Sequence, residues 1–300
     1  MKILTTVGEM QAACRALRRT GTLGLVPTMG ALHDGHLSLV RRAKAENDAV
    51  AVSIFVNPTQ FAPGEDFETY PRRMAEDCAK LEAAGVTLLF APNVEQMYPQ
   101  GATTFVEVAE VGDRLDGASR PGHFRGVATV VAKLFHVVDP DRAYFGQKDA
   151  AQVAVLRAMV RDLLFAVELV VCPIVREPSG LAMSSRNLKL SAAEKQRATA
   201  LYRALEAAER ALEGGETSAA ALRAAMLSQL AGAEDVRLDY AEVVHPATLL
   251  PVADTRGGAL IAVAAWVGQT RLIDNLLVEA RAAAFGKTSR RAEKMEAMHA

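Results

Sequence analysis

Cysteine is scarce in this chain: Cys14, Cys78 and Cys172 are the three among 300 residues. Their odd number and the lack of any CxxC spacing exclude a disulfide framework and a zinc ribbon, and fit a reducing cytosol. Long apolar runs are missing too. No stretch approaches the roughly 18 to 20 uninterrupted residues of a spanning helix, and Leu163 to Val175 is short and contains Glu168. Met1 to Arg19 lacks the apolar core of a secretion signal. Nor is one charge in excess: 34 Lys and Arg stand against 35 Asp and Glu, which argues against a nucleic-acid-binding surface. The rest is an ordinary balance, 50% apolar and 23% charged, expected of a soluble cytoplasmic protein of about two domains.

The first half alternates between two hydrophobic periods. Helical spacing marks Val7 to Leu17, His33 to Ala45, a stretch from Pro71 to about Ala84, Gly126 to Val138 and Ala150 to Leu163. Between them, short β-rich runs mark strands at Thr22–Val26, Ala49–Val56, Val86–Phe90, Arg142–Phe145 and Val167–Val171, with Phe105–Val111 as a further candidate. Alternation of this kind implies βαβ units and a parallel sheet with right-handed crossovers. The pattern changes after about residue 176. Ser191-Ala-Ala-Glu194 reads as a capping box opening a long helix, Gly214-Gly215 ends it, and another helix and three strands follow. The expected fold is therefore α/β: a Rossmann-like parallel sheet with helices on both faces over 1–175, then a smaller α+β domain over 176–285. A charged tail over 286–300 completes the expected division.

The most informative stretch is Val26 to His36, VPTMGALHDGH. It places an apolar strand, a glycine loop and two histidines three apart at the start of a helix, where both imidazoles share one face. That helix start offers unpaired N–H groups and the positive pole of the helix dipole, a seat for phosphate. Gly35 lacks a Cβ, which leaves room for a flat nucleobase. An HxxH pair by itself is more often a pair of surface histidines, but the preceding loop favours phosphate chemistry. Met183-Ser-Ser-Arg186 adds two hydroxyls and a guanidinium suited to outer phosphates. In Gly146-Gln-Lys-Asp149, Lys148 is either a charge on a phosphate or half of a surface ion pair. Asn57-Pro-Thr-Gln60 is either a carboxamide at a pocket floor or a plain turn.

The segments PTMGALHDGH, VNPTQF, YPR, GHFRGVATVV, FGQKDAAQ and REPSGLAMSSRN, in that order, resemble the pantothenate synthetase (pantoate–β-alanine ligase) family over about residues 3–280. HDGH and MSSR alone point to the wider superfamily of nucleotidyl transferases and class I aminoacyl-tRNA synthetases; VNPTQF with FGQKDAAQ narrows it. The resemblance implies ATP-dependent joining of pantoate to β-alanine through pantoyl adenylate, releasing pyrophosphate and then AMP. It implies an ATP site of Met29, Gly30, Ala31, Leu32, His33, Asp34, Gly35 and His36, completed by Gly146, Gln147, Lys148, Asp149, Val175, Met183, Ser184, Ser185 and Arg186. Catalysis falls to His36 as proton donor, with His33 and Lys148; Gln60 and Gln152 hold pantoate, with Gln60 also near β-alanine. Magnesium is implied, and so is a homodimer; Glu76 or Asp77, on the helix after Tyr70, is our own candidate for the metal's protein contact. Small molecules are the expected partners, without nucleic acid or membrane.

Two other readings are testable. A cytidylyltransferase-type enzyme would share the histidine motif and release pyrophosphate, but would keep the nucleotide on its product. A non-catalytic nucleotide sensor would keep its output after loss of His36.

Overall fold

The computed structural model describes residues 1–280, so the tail expected over 286–300 lies outside the described residues. The chain opens with β1 (Lys2–Leu4), α1 (Val7–Arg18), β2 (Leu23–Thr28), α2 (Asp34–Glu46) and β3 (Ala49–Ile54). Next come α3 (Met74–Ala83), β4 (Leu88–Phe90) and two single turns, α4 (Val94–Met97) and α5 (Asp116–Ser119). The unit closes with α6 (His123–Val138), β5 (Arg142–Gly146), α7 (Ala150–Asp162) and β6 (Glu168–Cys172). Its six strands are all parallel, in the order β1-β4-β3-β2-β5-β6.

From β2 the chain winds outward through β3 to β4; β5 and β6 continue on the other side of β2. The sheet therefore changes winding direction between β2 and β5, and ligands of such sheets bind at the carboxyl ends of the strands on either side of that point. Successive residues of β3 serve opposite faces: Ala49, Ala51 and Phe55 pack with α1, α6 and α7, whereas Val50, Val52 and Ile54 pack with α2. α6 is buried along most of its length. It lies so close to the turn after β3 that a Cβ at Gly126 would stand 2.3 Å from the Thr59 carbonyl oxygen.

The remainder holds α8 (Ala192–Glu213), α9 (Ala219–Ala231) and an antiparallel sheet of β7 (Val236–Val244), β8 (Ala259–Val267) and β9 (Thr270–Val278). α8 has the expected capping box, with Ser191 and Glu194 each bonding the other's backbone N–H. Both helices cover the buried central strand β8. Polar contacts join this layer to the first sheet. Arg271 of β9 is clamped between Asp116 (2.7 Å) and Asp239 (2.7 Å), and Asn275 donates to the carbonyls of Gln147 (3.0 Å) and Lys148 (2.9 Å).

Three sequence expectations are corrected. Phe105–Val111 forms no strand: Val106 exchanges hydrogen bonds with the Thr129 hydroxyl of α6, so its apolar alternation is satisfied by a helix. β1 was not anticipated, because three residues give too little period to see. The third helix begins at Met74, after Pro71. No helix among the described residues is long and apolar enough to cross a membrane.

Gly126→Ala should force α6 away from Thr59 and cost about 1–3 kcal/mol, as overpacking does. Urea unfolding measures this; an unchanged midpoint would show that the close approach carries no weight.

Candidate active site

One cavity opens at the carboxyl ends of β2 and β5. It brings together Met29, His33, Gly35 and His36 from the first motif, Gln60 from the second, and Gly146, Lys148, Asp149 and Gln152 from the third. Val175 and the Met183–Arg186 segment close another side. Segments spread over more than 150 positions thus converge, as the alternating pattern implied. Gly30, Ala31, Leu32, Asp34 and Gln147 do not line it.

The histidine loop has its own support. Gly30 (φ +89°) and Ala31 (φ +49°) both take the left-handed conformation, which is strained at a residue with a Cβ. That double turn aims the Ala31 and Leu32 N–H groups at the buried Asp77 of α3, at 2.9 and 2.8 Å from its two oxygens. The loop's carbonyls are also held. Lys80 donates to Leu32 O at 2.7 Å, and the Ser185 hydroxyl donates to Gly30 O (3.3 Å) and Ala31 O (3.0 Å). Two amides expected to face a phosphate are therefore bound to a carboxylate beneath the loop. Ser185, expected on phosphate, instead latches the loop.

The two histidines cap α2 reciprocally. Gly35 N–H donates to His33 Nδ1 at 3.1 Å, and His33 N–H donates to His36 Nδ1 at 3.4 Å. With both Nδ1 atoms accepting, each neutral ring carries its hydrogen on Nε2. The ring centroids are 4.0 Å apart. Burial first, then the charge of Lys148, lowers His33 to about 4; burial and the neighbouring His33 hold His36 well below its ordinary value. Both are neutral N–H donors at neutral pH. Gly35 has a different purpose from the one expected: a Cβ there would stand 2.8 Å from the His33 ring, so the space is taken by histidine rather than left for a nucleobase.

Gln60 is buried, with Asn57 donating to its Oε1 (3.1 Å) and its own amide directed at Met29 Sδ (3.0 Å). Behind it stand two residues that sequence reasoning missed. His123 Nδ1 and Arg120 Nη2 bond the Gln60 carbonyl oxygen at 2.8 and 3.3 Å, and Arg120 also clamps Glu65. The signal was present in GHFRG, where no role was given to the histidine. Burial, then Arg120, lowers His123 to about 4.

Arg186 is bidentate on Asp66 (3.1 and 3.0 Å), and Lys189 reaches the same carboxylate at 2.8 Å. Burial alone would raise Asp66, but these two cations outweigh it and hold the carboxyl well below the usual range. Gln147 turns away from the cavity and donates to Asn275 of β9 at 2.9 Å. Asp34 is exposed in the first turn of α2. The expected metal contacts do not fit magnesium. Glu76 pairs with Arg73 at 3.2 Å, and both oxygens of Asp77 are spent on amides. No group of three His, Cys, Asp or Glu among the described residues could hold a metal ion.

A parallel sheet with a twin-histidine helix start at its switch point, faced by a lysine and a Ser-Ser-Arg segment, is the arrangement of a nucleotide-binding α/β enzyme. The model of the family described as pantoate-beta-alanine ligase matches residues 2–277. The chain belongs to that family. It is 60% identical over 297 residues to the pantothenate synthetase of Acidobacterium capsulatum, covering 95% of this chain and 99% of the relative. The same enzyme of Koribacter versatilis is 54% identical over 287 residues, with 95% and 99% covered. Among solved structures, pantothenate synthetase from Thermus thermophilus superposes with a TM-score of 0.89 at 51% identity, covering 93% and 100%. Francisella tularensis pantoate-beta-alanine ligase, complexed with beta-gamma ATP and beta-alanine, gives 0.77 at 36%, covering 92% and 97%.

Asp77→Asn removes one of two acceptors under the loop. It should cost about 1–3 kcal/mol of stability, the price of a buried amide left unpaired, and lower turnover with it. Urea unfolding and steady-state assay together check this; full stability and activity would contradict the support role. The histidines give a pH prediction of definite sign. Free histidine titrates near 6.5, and in the fold His33 and His123 lie at about 4, so the unfolded chain binds more protons between those values. Stability should be complete above about pH 6.5 and fall as pH drops toward 4. Urea midpoints flat across that window would refute it.

Proposed function

We infer that this chain catalyses ATP-dependent condensation of (R)-pantoate with β-alanine, giving pantothenate, AMP and pyrophosphate. The carrying observation is the convergence of all the family's motifs on one cavity at the switch point of the sheet. A pantoate carboxylate oxygen attacks the α-phosphorus of ATP; the bond to the β-phosphate oxygen breaks and pyrophosphate leaves. The β-alanine amine then attacks the acyl carbon, and AMP leaves.

The side-chain roles that follow are our reading of the site. Attack of one anion on another needs fixed positive groups rather than covalent help. Lys148 and Arg186 supply charge, and the His33 and His36 Nε2–H groups donate to the developing charge on the α-phosphate. The helix dipole adds only about 0.3–1 kcal/mol. His36 thus acts as a hydrogen-bond donor in its neutral form, rather than as an imidazolium. Gln60 and Gln152 hold pantoate without neutralising its nucleophilic oxygen as a cation would. Val175, whose carbonyl accepts from Met183 N–H at 2.9 Å, fixes the Met183–Arg186 segment against the cavity. That segment, carried by the unit from 176 onward, serves as the lid protecting the adenylate from water.

The latched Ser185 and the Arg186–Asp66 pair support a closed position of this segment. Magnesium enters on the polyphosphate of ATP, a common mode for this ion; Glu76 and Asp77 are not its ligands. A cytoplasmic homodimer completes the proposal, and sedimentation equilibrium tests the assembly.

ATP–pyrophosphate exchange should depend on pantoate and proceed without β-alanine. His36→Ala should lower kcat more than KM, since its donor acts on charge present chiefly in the transition state. Silence in exchange and in the complete reaction would refute the function; a pure KM effect would refute the role of His36.

A further inference from the structure

Asp274 and Asn275 are consecutive, polar and buried, 3% and 4% exposed, on β9 at the edge of the second sheet. Consecutive strand residues serve opposite faces, so each meets a different part of the molecule. Asp274 accepts from Arg176 at 2.5 and 3.0 Å, and Arg176 also donates to the Gly180 carbonyl at 3.0 Å. That pair fixes the turn leading into Met183–Arg186. Asn275 instead meets the Gln147–Asp149 turn between β5 and α7.

The Asn275 carboxamide uses both its ends there. Its Nδ2 group donates to Gln147 O at 3.0 Å and to Lys148 O at 2.9 Å, and its Oδ1 accepts from Gln147 Nε2 at 2.9 Å. The two carbonyls belong to the peptide units on either side of the Lys148 α-carbon. Peptide units are planar, so holding both fixes the two backbone dihedrals of Lys148. The Gln147 bond decides which end of the carboxamide faces them. Asn275 does not line the catalytic cavity, yet it sets the direction in which the Lys148 side chain leaves the backbone to reach it. That side chain is only 20% exposed, and a packed stem leaves few ways to correct a shift at its base.

We propose that Asn275 is a positioning residue acting through Lys148, holding the lysine where the phosphates of ATP meet it. The assignment rests on the function inferred above. Such placement matters because a misplacement of about 1 Å can lower a rate about a hundredfold. With Asp274 beside it, one strand of the second sheet sets Lys148 and the base of the Arg186 segment relative to each other.

The test measures ATP–pyrophosphate exchange with pantoate, and calorimetric binding of ATP and of adenosine, in wild type, Asn275→Ala, Lys148→Ala and the double variant. Asn275→Ala should lower the exchange rate about ten- to a hundredfold and weaken ATP binding about three- to tenfold. Adenosine has no phosphate for Lys148 to meet, so its binding should stay within about twofold of wild type. Without Lys148, the same change should weaken ATP binding by less than about twofold, because the group it acts through is already gone. Gln147→Met removes only the bond that orients the Asn275 amide. It should weaken ATP binding over adenosine by a smaller factor, and it carries the comparison if Asn275→Ala does not fold. Equal weakening of ATP and adenosine, equal losses with and without Lys148, or unchanged ATP binding would overturn the assignment and leave Asn275 as a packing contact. Wild-type exchange in the same assay checks the underlying function separately, and its absence would overturn both.

Discussion

The carboxylate of Asp77 accepts hydrogen bonds from two consecutive amides of the histidine loop, and the catalytic geometry hangs on that contact. Gly30 and Ala31 must both turn left-handed for those amides to reach it. The same turn delivers the chain to His33 at the helix start, where the two rings lock against backbone N–H groups. A buried carboxylate 46 residues away thereby settles which nitrogen of each imidazole can donate. Lys80 and Ser185 take up the carbonyls of the same loop, so these donors and acceptors are engaged within the protein.

This arrangement changes how the phosphate seat works. The general expectation for a helix start is that free backbone amides hold the anion. Here two of the loop's amides hold the loop, and side chains are proposed to carry that task. In the proposed reaction, neutral donors and separate cations divide the work: imidazoles for direction, Lys148 and Arg186 for charge. Keeping the histidines neutral beside Lys148 avoids a crowded cluster of positive groups in the free enzyme, and Asp66 balances Arg186 and Lys189 in the same way.

What was legible in the sequence was local. Residues in one turn of helix or one strand-to-loop step share a geometry that spacing alone encodes, and His33 with His36, Gln60, and Lys148 with Gln152 all line one cavity. Long-range partners were not legible. Asp77 read as a metal contact because a carboxylate near a phosphate site suggests one, and nothing nearby in the chain announces two amides from a distant loop. Gln147 read as a site residue because its neighbours are; its side chain answers Asn275 of β9 instead. His123 escaped notice because its partner, the Gln60 carbonyl, belongs to backbone. The false strand at Phe105–Val111 has real alternation, but a helix satisfies it.

Nitrogen NMR of the protein with ¹⁵N-labelled histidine, recorded at neutral pH in the free enzyme and with ATP bound, bears most directly on this picture. His33 and His36 should appear as neutral imidazoles protonated on Nε2 in both states. Imidazolium signals for His36, or hydrogens on Nδ1, would contradict it.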